Sequence, residues 1–292
     1  MGNRHAGRAG RAILAAAGAA VLALGGCSSG EADYPVEATL YDADGISTAA
    51  DEFAFSMEPE GGRLYFNRVG EGGHMAIWTA LPDTDEAPVP VSFTDGRYND
   101  IDPFVSRDGG YLFFSSNRPR PGSGSDEPRG DYDLWYALRE GDGWGILVHA
   151  GDVLNTDASE VYYSEAEDGR FVLTRMMRSE GGNNVPATLT GRRQAGTFGD
   201  LGSIDPEPRS LRLSNPALSP DGGTLVMAGG LPGDAPDLWI ARRTGEGWAP
   251  FEPLAGLGVN TEAAEFAPYI CNKGEWMWFT SDRARGDGGA PN

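Results

Sequence analysis

The chain has 292 residues, 40 % of them hydrophobic, with 43 Gly and 20 Pro; this allows one large domain or two small ones, and it excludes a disordered chain. Net charge is −20, and all 43 acidic residues follow residue 30, where they face 20 of the 23 bases and leave that part at −23. Such a surface repels phosphate backbones and anionic lipid heads, which argues against nucleic-acid binding and leaves cationic partners, metal ions and neutral glycans.

The first 27 residues form a separate object. Arg4, Arg8 and Arg11 make a basic front, and Ala12 to Leu24 is an apolar, Ala-rich run too short for a permanent transmembrane helix. Leu24-Gly25-Gly26-Cys27 then closes the run. Small residues before a Cys at this boundary resemble the bacterial lipoprotein signal, which implies lipid attachment at Cys27. Several acyl chains give stable anchoring where one is marginal. Ser28 after the Cys implies the outer membrane, by resemblance to sorting in Gram-negative bacteria. Residues 28–35 read as a tether and 36–292 as the folded domain. Cys271 has no partner once Cys27 is acylated, so no disulfide is expected and Cys271 reads as a buried small hydrophobe.

Glu37 to Tyr41, followed by Gly45-Ile46-Ser47-Thr48, reads as a strand standing alone before a repeat. The repeat then runs five times without a gap: EFAFSMEPEGG from Glu52, DIDPFVSRDGG from Asp100, EVYYSEAEDGR from Glu160, LSNPALSPDGG from Leu213 and EFAPYICNKGE from Glu265. Each unit has a short apolar strand, a turn signal eight residues after its start, and a second apolar strand. Three units place an Arg ten residues after the turn position: Arg118, Arg178 and Arg283. A third run follows as Ala76 to Ala80, Asp133 to Ala137, Pro186 to Thr190 and Asp237 to Ala241. A fourth follows as Val89 to Phe93, Ile146 to His149 and Phe251 to Leu254. The junctions Ser47-Thr48, Asn155-Thr156 and Asn260-Thr261 each put a Thr four residues before the next acid.

Four short strands every 48–60 residues, apolar on both faces and without helical periodicity, describe the blades of a β-propeller. The expectation is an all-β fold: one propeller of five blades, each of four antiparallel strands, with six blades as the alternative. The N-terminal strand should complete the last blade and remove the open edge. That blade would still lack a third strand, so the chain is expected to be truncated at its C-terminus.

Asp102-Pro103 through Arg118 with Asp133-Leu134-Trp135, and Asn215-Pro216 through Ser219-Pro220-Asp221-Gly222, resemble the TolB-like periplasmic propeller repeat over about residues 36 to 285. The resemblance implies a location in the bacterial cell envelope, an outer-membrane lipoprotein facing the periplasm. It also implies binding of a protein or cell-wall polymer partner. It implies no reaction, because function on a propeller lives in its loops and channel.

No HExxH, GxSxG or CxxC motif is present. His74 and His149 read as incidental, and the 117–132 loop as either a binding loop or a loose insertion. The first strand of each blade lines the channel, so equivalent acids form a ring at one mouth: Glu52, Asp100, Glu160 and Glu265, broken at Leu213, with Asp102 and Asn215 two residues further in. Such a ring binds a ligand, raises its own pKa values or holds a cation such as Ca2+. Against this, each acid could pair with the repeated Arg and serve only the scaffold. The expectation is a monomeric, non-enzymatic binding module without a required cofactor. The alternative is a glycoside hydrolase, or another carbohydrate-active enzyme, using two of these carboxylates.

Overall fold

The structure is a computed structural model. It describes residues 12–16, 38–40, 46, 48, 50–59, 62–82, 84–178, 184–245, 247–254, 258–271, 274 and 276–283. Cys27 and the turn residues Glu60 and Lys273 lie outside these. Among the described residues there is no α-helix and no helix long and apolar enough to cross a membrane.

Strands form where aromatic and β-branched residues gather, and they end at turns built by side chains. At Ser106 to Gly110, the Ser106 hydroxyl meets Asp108 at 2.5 Å and Asp108 accepts the Gly110 N–H at 3.0 Å. Ser219, Asp221 and Gly223 repeat this at 2.5 and 2.9 Å. Gly109 and Gly222 supply the positive φ of 71° and 67° between them.

Two strands precede the repeats, β1 (Ala12–Ala16) and β2 (Ala38–Leu40). The first blade runs β3 (Glu52–Met57), β4 (Leu64–Val69), β5 (Met75–Ala80) and β6 (Val89–Pro90). The second runs β7 (Asp100–Val105), β8 (Tyr111–Ser116), β9 (Asp133–Glu140) and β10 (Gly143–His149). The third runs β11 (Ser159–Glu165), β12 (Arg170–Arg178), β13 (Asn184–Gln194) and β14 (Thr197–Ile204), with β14 a strand that sequence reasoning did not find. The fourth has β15 (Arg212–Leu218), β16 (Thr224–Gly230) and β17 (Asp237–Thr244), with its outer edge split between β18 (Gly247–Trp248) and β19 (Glu252–Pro253).

The count is four such blades, neither five nor six. The fifth repeat does not build a blade of its own; it supplies only the hairpin β20 (Glu265–Ile270) and β21 (Met277–Ser281). A composite closing sheet of order β2-β1-β21-β20 takes that hairpin in. β2, inside the stretch expected to stand alone, holds its outer position. The third position, expected to be vacant, is held by β1 from the basic-apolar leader, paired from Ala12 with Ser281 to Ala16 with Met277. The physical reason is edge pairing: β21 presents a ladder of backbone groups, and an extended segment beside it satisfies them.

The inner strands β3, β7, β11, β15 and β20 follow one another around a central channel, and β20 and β21 come back against β3. Aromatic side chains weld neighbours together. Phe55 stacks on Trp278 at 4.4 Å across the closure, and Phe113 meets Tyr163 at 4.2 Å between the second and third blades. Leu64, Phe66, Phe113, Leu134 and Phe171 are fully buried in the largest core cluster.

Candidate functional site

Every inner strand carries the same defect. Its register with the second strand shifts between Phe53 and Ser56, Ile101 and Phe104, Val161 and Ser164, Ser214 and Ala217, and Phe266 and Tyr269. At each bulge one residue adopts left-handed backbone: Ala54 (φ 53°), Asp102 (56°), Tyr162 (56°), Asn215 (50°) and Ala267 (47°). All five stand two residues after the repeat start. Pro follows in three of them, Pro103, Pro216 and Pro268, where a missing N–H costs the ladder nothing. That Pro was the available signal for a bulge.

The bulge turns a backbone N–H toward the neighbouring blade, and the neighbour supplies an acceptor. Asn67 Oδ1 accepts from Asp102 N–H at 2.7 Å, Thr174 Oγ1 from Asn215 N–H at 3.1 Å, and Thr280 Oγ1 from Ala54 N–H at 3.3 Å. The fourth blade has Ala228 at that register position and no acceptor. There Asn215 substitutes, its Oδ1 accepting from Ala267 N–H at 3.1 Å. Asn215 is thus part of the ring's own stitching, with its Nδ2 on Ser214 at 3.1 Å.

The four acids of the expected mouth ring are engaged inside their own sheets. Glu52 accepts from Thr48 N–H at 3.0 Å and from its hydroxyl, and pairs with Arg68 at 2.9 Å. Glu160 accepts from Thr156 N–H at 3.1 Å and its hydroxyl at 2.7 Å, and pairs with Arg175 at 2.7 Å. Glu265 repeats this with Thr261 at 3.0 and 2.7 Å, with Ser281 at 2.9 Å and Arg283 at 3.0 Å. Asp100 takes both bonds from one Arg118 nitrogen, at 2.7 and 2.8 Å. The repeated Thr therefore exists to cap the acid. In the third blade the pairing Arg is Arg175, which faces Glu160 across the ladder, while Arg178, the spacing-based partner, is exposed. Burial raises the pKa of Asp100 and of Glu160, and the Arg and Thr partners oppose that rise.

The fourth blade explains itself in the same terms. Opposite Glu52 and Glu160 stand Arg68 and Arg175, but opposite Leu213 stands Gly229. Acid and base are lost together, and the site is apolar. A pair that disappears as a pair is behaving as scaffold.

Asp102 is the exception. Its side chain is 3 % exposed, and neither carboxyl oxygen has a hydrogen bond of ordinary geometry. It lies on a small cavity in the channel, about 30 Å3, shared with Ala54, Tyr162, Asn215 and Ala267. Desolvation pushes its pKa up to about 8, opposed only by the nearby Tyr162 backbone N–H. Burial thus favours the protonated form of this carboxyl.

At its other end the channel is plugged. The Arg107 guanidinium donates to the Glu165 carbonyl at 3.0 Å, Leu218 at 3.0 Å and Ile270 at 2.9 Å, one carbonyl from each of three sheets. It also lies over the Phe104 and Tyr269 rings at 5.3 and 5.6 Å. Sequence reasoning passed over Arg107. The signal was Ser-Arg-Asp-Gly where the closest-matching unit has Ser-Pro-Asp-Gly.

The 117–132 loop is pinned. Asp133 at the start of β9 receives Arg120 at 2.7 and 3.0 Å, Arg129, and His149 Nε2 at 2.8 Å. These partners hold the Asp133 pKa down at about 2 against the opposing effect of burial. His149 is thus a structural donor. His74 Nε2 is buried without a partner. Cys271 is half-buried, not buried as expected, and its sulfur accepts the Trp276 N–H at 3.3 Å.

No protein-family model matches the chain, and no curated protein matches it. Solved structures do. A protein described as TolB from Agrobacterium tumefaciens superposes with TM-score 0.55 at 14 % identity, over 95 % of this chain and 80 % of that one. TolB from Acinetobacter baumannii gives 0.52 at 12 %, over 98 % and 66 %. An alpha-L-arabinofuranosidase from Lactobacillus brevis also gives 0.52 at 12 %, over 82 % and 86 %. At such identities the likeness establishes the fold alone, a TolB-like β-propeller.

Proposed function

We propose that this chain is an outer-membrane lipoprotein anchored through Cys27, whose propeller faces the periplasm and binds a protein or cell-wall polymer partner. The observation that carries the binding reading is the engagement of Glu52, Asp100, Glu160 and Glu265 inside their own sheets. A glycosidase needs two carboxyls about 5–5.5 or 6.5–9.5 Å apart, both able to act on substrate. The mouth acids are held by Arg, and three of them by Thr as well, which leaves Asp102 as the channel carboxyl without a cationic partner among the described residues. The likeness to TolB proteins supports the same reading. The chain's acidity favours a basic or neutral partner.

One observation favours the carbohydrate-active alternative: burial raises the Asp102 pKa to about 8, in the channel of a fold shared with an arabinofuranosidase, the direction a general acid needs. The test is a pull-down from envelope extract with the lipidated chain, run beside a glycan hydrolysis panel. Partners that survive washing, with no turnover, are the expected result. Turnover lost in Asp102→Asn would replace the binding reading with the enzymatic one.

A further inference from the structure

The break in the mouth ring leaves a hollow. In the first and third blades the start of the inner strand is filled out by an acid and the Arg opposite it, Glu52 with Arg68 and Glu160 with Arg175. In the fourth blade Leu213 and Gly229 stand there, and a Cβ at Gly229 would collide with the Arg212 carbonyl, so no long side chain from that strand can fill the gap. A cavity of about 200 Å3 lies against Leu213, between the third blade's β13 and β14 and the entry to β15. It is on the same face as the mouth acids, because β13 begins, β14 ends and β15 begins there.

The cavity has two kinds of wall. Ile204, Leu211 and Leu213 are buried and give an apolar floor. Arg209 and Arg212 are exposed and edge it, with Asp205 the acid among its lining residues. Neither guanidinium is tightly committed. Arg209 stands 3.9 Å from Asp205, and Arg212 donates to the Arg209 and Leu211 carbonyls at 3.4 and 3.3 Å. The Arg partners of the mouth acids are locked on at 2.7 to 3.0 Å. More residues of the same two kinds stand around the rim. Met177 pairs with Val185 of the lining and is exposed, as is Arg178 after it. Leu231, also exposed, follows Gly230, the ladder partner of Arg212. On a chain of net charge −20, exposed apolar side chains and cations gathered at one opening mark a binding surface.

We propose that this cavity takes the C-terminal residue of a partner polypeptide, with its aliphatic side chain on the floor and its carboxylate on Arg209 and Arg212. The inference rests on the binding reading above and names the group by which the partner is held. The size fits one residue: a cavity of about 150 Å3 takes a benzene-sized group, and this one is somewhat larger. Arg matches a carboxylate in charge and in shape. A chain terminus carries carboxylate and side chain on one Cα, so floor and rim are met together. A neutral glycan would leave both cations unanswered.

The test is calorimetric titration of the full chain with acetyl-Gly-Ala-Leu, with its C-terminal amide, and with acetyl-Gly-Glu-Leu-amide, whose carboxylate is on a side chain. The free acid should bind with a Kd of about 0.1–1 mM. Both amides should bind at least about tenfold more weakly, since charged hydrogen bonds to the terminus are lost. Arg209→Gln together with Arg212→Gln should weaken the free acid to the level of its amide. The melting temperature should stay the same, because both side chains are exposed. Equal binding of the free acid and either amide, unchanged binding in the double variant, or no heat with any peptide would overturn the proposal. Partners captured from envelope extract equally by wild type and double variant would also sink it, while leaving the binding reading in place.

Discussion

At the scale of single residues, the chemistry of this molecule separates two kinds of buried acid. Glu52, Asp100, Glu160 and Glu265 each face an Arg, and Asp102 has no cationic side chain beside it. The distinction has a measurable sign. The folded Asp102 pKa of about 8 lies above the unfolded value of about 3.9. Between those values the unfolded chain holds fewer protons than the folded one, so stability falls as pH rises from about 4 to about 8 and stays low above. Asp133 acts oppositely: its folded pKa of about 2 gives stability that is lost as pH falls through about 4 to 2. Urea unfolding should show wild type losing stability from pH 5 to pH 9, with Asp102→Asn much flatter over that window. An unchanged slope in the variant would refute the assignment. Arg107 gives a second residue-scale test. Arg107→Met keeps an unbranched apolar side chain and removes the guanidinium from three carbonyls and from the Phe104 ring. It should cost about 2–4 kcal/mol in urea denaturation, because charged hydrogen bonds are lost and carbonyls are left unmet.

At the scale of the element, the repeat unit is a strand with a bulge, an acid capped by Thr, and a junction Asn. Asn155 and Asn260 each bridge a Leu backbone, Asn155 to Leu134 at 2.7 and 3.0 Å and Asn260 to Leu238 at 2.8 and 2.9 Å. The Asn-Thr dipeptide therefore serves two strands at once, the third strand of one sheet and the first of the next. This is why it recurs as a pair. The long loop is an element of the same economy, held by Asp133. Asp133→Asn should release Arg120 and Arg129, speed tryptic cleavage at Arg129-Gly130 about tenfold or more, and lower the Tm, since the stability held by the depressed Asp133 pKa goes with the carboxylate. Cleavage at the wild-type rate would show that other contacts suffice.

At the scale of the whole molecule, closure is the property that matters. Trp278 of the closing sheet stacks on Phe55 of the first blade, and Thr280 takes the Ala54 N–H beside it. Trp278→Ala should cost about 3–5 kcal/mol, since a nearly buried indole leaves a cavity at the seam between the closing sheet and the first blade. Calorimetry should then show a transition broader than that of the wild type, or split. The anchoring proposal belongs here too: Cys27→Ser should move the protein from the outer-membrane fraction to the soluble one, and an unchanged distribution would refute the lipid anchor.

Much of this was legible in the residues themselves. Gapless recurrence of turn, apolar strand and Asp-Leu-Trp specified sheets of short strands, because a strand buried on both faces loses its alternation and a repeat has one way to bury both. The same recurrence located the channel-lining strands and therefore Asp102 and Asn215. Three things were decided only in three dimensions. The blade count was one, since strand pairing at the last sheet depends on which distant segment reaches an open edge. The state of the mouth acids was another: Arg175 rather than Arg178 meets Glu160 because the ladder register, and not the spacing from the turn, sets who stands opposite whom. The third was the isolation of Asp102. Sequence places it two residues from Asp100 in an acidic run, and only the bulge, by turning its backbone left-handed, separates a carboxylate that meets Arg118 from one that meets no cation.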